Sequence, residues 1–296
     1  MNLGITGATG FVGRHVAATA RMQGHKVIAF SRNPGQDPAF DEMRSSRELG
    51  SADFSGLDAL VHLAGEPVTG LWTSRKKHEI RRSRVDATCA LAARLRSLPN
   101  PPPVLVSASG IAWYGDGGDA ELTESSPPGE GFLAEVSRAW EAAAAEASDF
   151  ARVVSLRTPM VLGRDGGPAV MLGRIFRMGL GGRLGSGNQW TSWIHVQDLA
   201  RMYVTACENP AWIGPVNATA PVPVTNRIFT AAIAAAVRRP ALFPVPAFAL
   251  RMIPGGMSEI FLQSQRARPA AASAAGFQWL HTNLREAAQD VFSPPD

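Results

Sequence analysis

The sequence predicts an α/β protein, in which a doubly wound parallel sheet is followed by a smaller C-terminal lobe. Two observations lead to this fold class. Short apolar runs typical of strands alternate with helical patterns through the first half of the chain. A glycine motif, GATGFVG from Gly7 to Gly13, directly follows the first of these runs and opens the first helix. This order of strand, glycine turn and helix predicts a dinucleotide-binding site.

The apolar runs and the amphipathic patterns locate the main elements. Five strands are expected at residues 3–6, 27–30, 59–63, 104–107 and 153–156. Long helices are expected at residues 74–98 and 132–148. Beyond residue 162 the chain becomes rich in glycine and then in proline and helical patterns. We therefore expect a dinucleotide-binding domain at residues 1–162 and 191–218, and a small substrate lobe at residues 163–190 and 219–296.

Composition narrows the possible partners. The 296 residues are 45% hydrophobic and 18% charged, which is enough chain for one large core and a smaller lobe. The formal net charge of +4 comes from basic residues spread along the chain, so no nucleic-acid partner is indicated. Two cysteines, Cys89 and Cys207, lie in alanine-rich helical contexts and predict buried thiols, with no disulfide framework and no metal.

The sequence also leads to expectations for the cellular location and the oligomeric state of the protein. No signal sequence precedes the first strand, and the apolar stretch at residues 241–250 is too short and too rich in proline to span a membrane. We expect a cytoplasmic protein with a small-molecule substrate and no membrane partner. Dimerisation through the two long helices is one option, but no uncovered apolar stripe demands it. The expected state is a monomer or a homodimer.

The glycines predict where the cofactor binds, because each lacks a β-carbon at a place where backbone must approach backbone or pyrophosphate. An NAD site places a carboxylate about 20 residues further on to bind the ribose, whereas this chain has Ser31, Arg32 and Asn33 there. Arg32 can bind a 2′-phosphate, which favours NADP(H), with NAD as the alternative; a solvated surface arginine is the plainer interpretation. The candidate cofactor-binding residues are Gly7, Thr9, Gly10, Phe11, Val12, Gly13, Ser31, Arg32, Leu63, Ala64, Gly65 and Glu66.

Further motifs stand in a characteristic order along the chain: TGATGFVG at 6–13, HLAGEP at 62–67, SASGIAWYGD at 107–116, LRTPMVLG at 156–163 and SWIHVQDLA at 192–200. This order resembles the extended short-chain dehydrogenase/reductase superfamily and implies its Rossmann fold. The match narrows to epimerase-family proteins of the NAD-dependent epimerase/dehydratase type, which carry a C-terminal domain of unknown function. Their C-terminal signature reads LQSQRARPAAASAAGF at 262–277.

The resemblance also implies a catalytic Tyr-x-x-x-Lys dyad, which this chain lacks. Its tyrosines, Tyr114 and Tyr203, are followed four residues later by glycine and cysteine, and no lysine follows Lys77. The helix where the dyad is expected carries Phe132, Leu133, Val136 and Ser137 instead. None of these side chains transfers protons readily at neutral pH.

Three other residues are therefore the catalytic candidates. Ser109 matches the superfamily serine at the end of the fourth expected strand, although a strand-end hydroxyl can also bond backbone. Glu66 follows the third expected strand and is the preferred proton carrier, with an ion pair to Arg81 or Arg84 as the plainer alternative. Tyr114 can act as a general acid or simply pack beneath its loop.

Other polar and aromatic residues receive structural interpretations. His195 and Asp198 lack a third nearby ligand, so a metal site is not indicated, and Asp198 is expected to help begin a helix. His62, at the end of an apolar strand, is interpreted as a buried structural histidine. Arg84 is expected to form a structural ion pair. Tryptophans expected around the cleft, where indoles can stack on a substrate or pack in the core, are Trp72, Trp113, Trp190 and Trp193.

Two functions remain open from the sequence. The first is an NADP(H)-dependent oxidoreductase or epimerase with an altered site, in which Glu66, Tyr114 or an ordered water moves the proton. The second is a dinucleotide-binding regulator or assembly partner without catalytic activity. The missing dyad favours the second, whereas Ser109, the AGEP turn and the aromatic residues favour the first. We prefer the enzyme; no residue identifies a particular substrate.

Overall fold

The computed structural model describes residues 1–293 as an α/β fold around a seven-stranded parallel sheet. The strands are β1 (Asn2–Thr6), β2 (Lys26–Ser31), β3 (Glu42–Ser45), β4 (Ala59–His62), β5 (Val104–Gly110), β6 (Glu121–Leu122), β7 (Arg152–Thr158), β8 (Met160–Leu162), β9 (Trp190–Thr191), β10 (Trp193–His195), β11 (Gly214–Asn217), β12 (Val224–Thr225) and β13 (Arg266–Ala267). The helices are α1 (Phe11–Met22), α2 (Ser74–Arg96), α3 (Phe132–Ala145), α4 (Gly167–Arg177), α5 (Val196–Glu208), α6 (Asn226–Ala236), α7 (Ala247–Arg251), α8 (Glu259–Leu262), α9 (Ala270–Ala274) and α10 (Leu284–Phe292).

The sheet order is β11-β7-β5-β4-β1-β2-β3, with every neighbouring pair parallel. The chain starts at β1, moves outward to β3, and then returns to the other side of β1 at β4. Strand order therefore reverses between β1 and β4. In open α/β sheets a crevice forms beyond the carboxyl ends of the strands at such a reversal. The predicted fold class is confirmed.

Helices cover both faces of this sheet because its central strands are apolar on both sides. In β2, Val27 and Ala29 belong to one core with α1 and α5, whereas Ile28 and Phe30 belong to another with α2 and α3. Successive side chains of a strand point to opposite faces, so one continuous apolar run can supply two cores. This is the double winding that the sequence predicts.

The boundaries differ from the sequence prediction at several places. The fourth expected strand extends to Gly110, and the two long helices end early, at Arg96 and Ala145. Two edge strands of the sheet, β3 and β11, were not predicted. Neither contains an apolar run, since they read EMRS and GPVN, so only pairing with a neighbour makes them strands.

The C-terminal part of the chain builds a core of its own. This core joins α4, α6 and α10, and its largest buried side chains include Phe176, Phe229, Ile233 and Phe292. Short strand pairs connect this part to earlier segments, since β13 pairs with β6 and β12 pairs with β9. The exact division into a large domain and a small lobe stays a prediction.

Asp198 connects the first turn of α5 to the C-terminal segment. Its fully buried carboxylate accepts the N–H groups of Leu280 and His281 at 2.8 and 2.9 Å, and Arg201 donates to it at 3.3 Å. Asp198 lies in the first turn of α5, as expected of a residue that helps to begin the helix, and the capping bond from Gln197 N–H is accepted by the imidazole of His195. Asp198 also holds a distant segment in place.

The structure bears on the expected burial of the two cysteines and on the expected absence of a membrane-spanning helix. Cys207 is buried as predicted, whereas Cys89 is only partly buried and lies 3.7 Å from a carboxylate oxygen of Glu146. In residues 1–293, no helix has both the length and the apolar character that crossing a bilayer requires.

We predict that Asp198→Asn lowers the free energy of unfolding by about 2 kcal/mol, because an amide oxygen cannot replace both carboxylate acceptors for buried N–H groups. Urea denaturation measures the loss. Asp149→Asn is the control: this exposed carboxylate pairs with Arg96 at 3.3 Å, and its loss should cost less than about 1 kcal/mol. Equal losses in the two variants would contradict the anchoring role of Asp198.

Candidate functional site

The glycine turn between β1 and α1 forms the floor of the site. Gly7 has φ +69°, and a β-carbon there would lie 3.0 Å from the backbone nitrogen of Ala64, which follows β4. A β-carbon on Gly13 would collide with the carbonyl oxygen of Gly7. The Gly10 N–H donates to that same oxygen at 3.0 Å. Only glycine allows these backbones to approach so closely.

The start of α1 is open to a ligand. Its N-cap residue is Gly10, so no side chain caps the helix, and its first turn carries no acidic residue. The first N–H groups of a helix lack partners within it and, with the helix dipole, favour an anion. This turn lies at the reversal of strand order, where the sequence placed the pyrophosphate.

The end of β2 carries the residues predicted to select the ribose. The Arg32 side chain is exposed, and its backbone oxygen accepts a hydrogen bond from Arg47 at 3.3 Å. The hydroxyl of Ser31 bonds locally to Asn33. A second guanidinium, that of Arg47, therefore accompanies Arg32 at this edge of the sheet.

His62 connects β1, β4 and α2 below the site. Its Nδ1 lies 2.7 Å from Thr6 Oγ1 and its Nε2 lies 3.1 Å from Thr88 Oγ1. The ring is fully buried, and desolvation lowers the pKa of His62 to about 4. A neutral imidazole with both nitrogens bonded is a structural group, in agreement with the interpretation from sequence.

The backbone of Glu66 is fixed by hydrogen bonds to two side chains of α2, whereas its carboxylate is partly exposed to solvent. Its N–H donates to Ser83 Oγ at 3.0 Å, and its carbonyl oxygen accepts from Arg84 at 2.8 Å. The carboxylate pairs with Lys76 at 2.7 Å and is 41% exposed. The alternative of an ion pair with the following helix is therefore present, but its partner is Lys76 and not Arg81 or Arg84. Lys76, on the first turn of α2, reaches back over the loop to the carboxylate.

Ser109, at the end of β5, belongs to a buried polar network. Its hydroxyl donates to Glu141 Oε1 at 2.6 Å. The same carboxylate receives two hydrogen bonds from Arg157, each 2.8 Å long. The Arg157 side chain is 2% exposed and that of Glu141 is 15% exposed. A paired guanidinium and carboxylate thus fix the acceptor for the Ser109 proton.

Tyr114 lies on the far side of Arg157 from Ser109. Its hydroxyl donates to Asn217 at 2.7 Å and accepts from Arg157 at 2.9 Å. The ring is 2% exposed, and burial raises the pKa of Tyr114 above its usual value despite the neighbouring guanidinium. The structure therefore brings Tyr114 and Ser109 into one network, but it does not bring Tyr114 to Glu66.

The positions of the missing dyad lie on α3. Ser137 is buried, with its hydroxyl 3.8 Å from where a β-carbon on Gly110 would be. Phe132 and Leu133 are half-buried and pack with Val136 in an apolar cluster around Trp72. This stretch of α3 therefore meets the end of β5 with apolar and hydroxyl groups, and without an amine or a phenol.

The tryptophans expected around the cleft have different environments. Trp72 and Trp193 are buried, whereas Trp113 and Trp190 are half-buried. Trp72 packs edge-on against Phe132 with ring centroids 5.2 Å apart. Trp113 stacks beneath the guanidinium of Arg157 at 3.6 Å, and Trp190 lies 4.5 Å from that of Arg266. Stacking on a substrate stays a prediction for these four side chains.

A metal site is not formed by His195 and Asp198. His195 stacks on His281 with ring centroids 3.7 Å apart and contacts Asp290 at 3.0 Å, while Asp198 binds backbone. Across residues 1–293, no cluster of three or more His, Cys, Asp or Glu side chains has the arrangement of a metal site.

The sequence did not identify the ion pair that holds Ser109 in position. Glu141 and Arg157 were not candidates, although an arginine inside the apolar strand RVVSLRT was a signal, since a charge in a buried strand needs a partner. Arg84 was assigned a structural ion pair, and that assignment was wrong. Within the described chain it has no carboxylate within 4 Å and donates to backbone carbonyls instead.

Comparison with known proteins identifies the family. Residues 3–218 match the model of the NAD dependent epimerase/dehydratase family, and residues 245–291 match a domain of unknown function, DUF1731. This chain belongs to the NAD dependent epimerase/dehydratase family. The resemblance read from its motifs is thereby confirmed, including the C-terminal domain.

Relatives of this epimerase-family chain match it over nearly their whole length. The chloroplastic SDR39U1 homolog of Arabidopsis thaliana is 34% identical over 98% of this chain and 86% of the relative. The human epimerase family protein SDR39U1 is 33% identical over 98% of this chain and 99% of the relative.

Solved structures agree with this family. The crystal structure of human SDR39U1 with NADPH has a TM-score of 0.92 at 33% identity and covers 99% of both chains. A nucleoside-diphosphate sugar epimerase from Corynebacterium glutamicum has a TM-score of 0.81 at 34% identity, covering 99% of this chain and 58% of that one.

The burial of His62 predicts a pH dependence of stability. Its pKa is about 4 in the folded chain and about 6.5 when unfolded, so between these values only the unfolded chain binds the proton. The contribution of His62 is complete above pH 6.5 and is lost as the pH falls toward 4. This loss should amount to about 3 kcal/mol, measured as urea midpoints against pH.

Two controls isolate this effect. His62→Asn should make the decline in stability between pH 6.5 and 4 shallower, whereas the variant of an exposed histidine, His78→Asn, should follow the wild type. NMR titration of the His62 ring in the wild type provides a second readout. A His62 resonance that titrates near pH 6.5 in the folded protein would contradict the assignment.

Proposed function

We propose that this chain is an NADP(H)-dependent oxidoreductase or epimerase that acts on a small molecule. The observation that carries the proposal is the glycine turn from Gly7 to Gly13, which opens the uncapped helix α1 at the reversal of strand order. The human relative solved with NADPH supports the same cofactor. Hydride transfer at the nicotinamide is the chemistry that this cofactor supplies when bound.

The residues around this turn fit a dinucleotide. A pyrophosphate would accept hydrogen bonds from the first N–H groups of α1, at Phe11, Val12 and Gly13. A 2′-phosphate would meet Arg32, with Ser31 beside it. The remaining residues proposed to contact the cofactor are Gly7, Thr9, Gly10, Leu63, Ala64, Gly65 and Glu66.

Ser109 is the group proposed to orient the substrate oxygen. Glu141 keeps both hydrogen bonds from Arg157 whether or not Ser109 donates to it. The serine hydroxyl can therefore turn toward a substrate oxygen without leaving a buried carboxylate uncompensated. The buried ion pair fixes the position of Ser109 and leaves its proton free to change partner.

Glu66 is the proposed proton carrier. Its carboxylate is partly exposed and paired with Lys76, so it can exchange protons with solvent at the mouth of the site. The Tyr114 hydroxyl is buried between Arg157 and Asn217, and it would have to give up the bond that it donates to Asn217 before it could protonate a substrate. The geometry favours Glu66 over Tyr114, whose hydroxyl instead helps to hold Arg157.

A second function is a dinucleotide-binding regulator or assembly partner without catalysis. The observation that favours it is the apolar Leu133 and the buried Ser137 at the dyad positions. Both functions need the cofactor, and they differ in whether hydride is transferred. A cytoplasmic location and a monomeric or homodimeric state remain part of the proposal.

Arg32→Ala should weaken NADPH binding by about tenfold or more, because a hydrogen-bonded ion pair to the 2′-phosphate is lost. NADH, which lacks this phosphate, should bind both proteins with similar affinity. Titration followed by nicotinamide fluorescence measures both. Arg138→Ala, an exposed arginine of α3, is the control and should bind as the wild type does. Unchanged NADPH affinity in Arg32→Ala would contradict the assignment of Arg32.

Ser109→Ala should lower the turnover number about a hundredfold, as for the loss of one hydrogen-bond donor to a reacting oxygen, while the NADPH dissociation constant is unchanged. NADPH oxidation at 340 nm with a panel of aldehydes and ketones measures the rate. Ser107→Ala is the control, since this neighbouring hydroxyl bonds to backbone and not to Glu141. Wild-type protein that binds NADPH but oxidises none of the panel would contradict the oxidoreductase, since only an epimerase or the regulator gives no net oxidation of NADPH.

A further inference from the structure

Arg84 is a partly buried cation beside the candidate site. Its Cζ lies 3.5 Å from where a β-carbon on Gly65 would be, and 5.2 Å from the centre of the Trp140 ring. One terminal nitrogen donates to the carbonyl oxygens of Glu66 and Ile80, at 2.8 and 3.3 Å. Within residues 1–293, its Nε and second terminal nitrogen have no hydrogen-bond partner, and no carboxylate pairs with it.

This position is adjacent to the reacting groups already described. His62, the last residue of β4, pairs with Ser107 in the parallel register of β4 and β5, and Ser109 lies two residues further along β5. The segment that follows His62 leaves the sheet at this end of the two strands. Arg84 contacts Gly65 in that segment. On the other side, its partner Trp140 is the residue before Glu141, which accepts the Ser109 proton. The guanidinium therefore lies between α2 and α3 on the side of the cleft where Ser109 ends its strand.

The local balance of charge is positive. The one carboxylate near Arg84, that of Glu66, is already paired with Lys76 at 2.7 Å. Lys77 lies over the rings of Phe132 and Trp72 at 5.1 and 5.8 Å, and forms no ion pair in the described chain. On this side of the molecule, Lys76, Lys77 and Arg84 of α2 thus face a single nearby carboxylate, that of Glu66 in the preceding loop.

A cation in this environment is costly without an anion. Burial lowers the pKa of Arg84 to about 10, against the opposing effect of Glu66, so the guanidinium stays charged at neutral pH. Taking an unpaired charge out of water is unfavourable, and two carbonyl dipoles offset only part of that cost. The nearby Trp140 Nε1 is a buried donor without a partner in residues 1–293, whereas Arg84 itself is only partly buried. Both groups are complementary to an anionic acceptor.

We propose that Arg84 binds a carboxylate of the substrate, so that the natural substrate is a carbonyl or hydroxyl compound that also carries a carboxylic acid. This inference rests on the proposed function and specifies its substrate class. The two guanidinium nitrogens without partners can form two hydrogen bonds to a planar carboxylate. Lys77 adds a second positive charge on the same helix, at the aromatic wall formed by Trp72 and Phe132.

The phosphates of the cofactor are a less suitable partner for this arginine. The pyrophosphate is expected at the first turn of α1, whereas Arg84 lies on α2 against Trp140 of α3. The 2′-phosphate is expected at Arg32, beyond β2. A separate anion therefore accounts for Arg84, and the two possibilities give different results when the arginine is replaced.

The test compares 2-oxo acids with their amides as ligands of the NADP⁺-saturated protein, by isothermal titration calorimetry. The panel runs from pyruvate to phenylpyruvate, so that size and charge vary separately. We expect the acids to bind the wild type at least tenfold more tightly than the amides. Arg84→Gln should remove this preference, and Arg84→Lys, which keeps the charge without the planar fork, should retain part of it.

Arg81→Gln is the matched control, because Arg81 is an exposed arginine three residues earlier on the same helix, and it should preserve the preference. NADPH titration of each variant tests the proposed function separately. Failure to bind NADPH in the wild type would contradict the proposed function, whatever the acids do. Normal NADPH binding with no preference for acids in the wild type, or with a preference that Arg84→Gln leaves intact, would overturn the substrate assignment. So would an Arg84→Gln variant that loses NADPH affinity and keeps the preference, since Arg84 would then serve the cofactor.

Discussion

The close approach of backbones at the glycine turn is the constraint on which the site depends. Gly7 meets the segment after β4, and Gly13 meets the carbonyl of Gly7, with no room for a β-carbon at either place. This approach sets α1 against β1 and leaves the first turn of the helix facing the crevice at the strand reversal. The position of a bound dinucleotide, and hence of everything that reacts with it, follows from that geometry.

A second constraint acts from the other side of the crevice. The ion pair of Arg157 and Glu141 joins β7 to α3, and its hydrogen bonds extend to Ser109 on β5 and to Tyr114. A buried pair of this kind is strongly destabilising to break, because either partner alone is a buried charge. The resemblance read from the sequence implies a tyrosine and a lysine on the helix that corresponds to α3. In this chain α3 contributes the carboxylate of Glu141, which accepts the Ser109 proton. The nearby cations, Lys76, Lys77 and Arg84, lie on α2.

The sequence predicted the parts of the fold that local pattern determines. The five apolar strands, both long helices and the glycine turn are at their expected places, because burial on both sheet faces and missing β-carbons leave a direct mark on the sequence. The edge strands β3 and β11 leave no such mark. The same limit applied to the site: whether Glu66 pairs with Lys76 or Arg84 depends on how a loop folds back on α2, which no spacing along the chain reveals.

We propose that a dinucleotide lies on the turn from Gly7 to Gly13, with its ribose at Arg32. Amide hydrogen exchange with and without NADPH detects a ligand bound at these residues. We predict slower exchange at residues 7–14 and 31–33 in the presence of NADPH, because the N–H groups of the turn and of the first turn of α1 become bonded to phosphate. Protection confined to other parts of the chain, or no protection at saturating NADPH, would contradict the account.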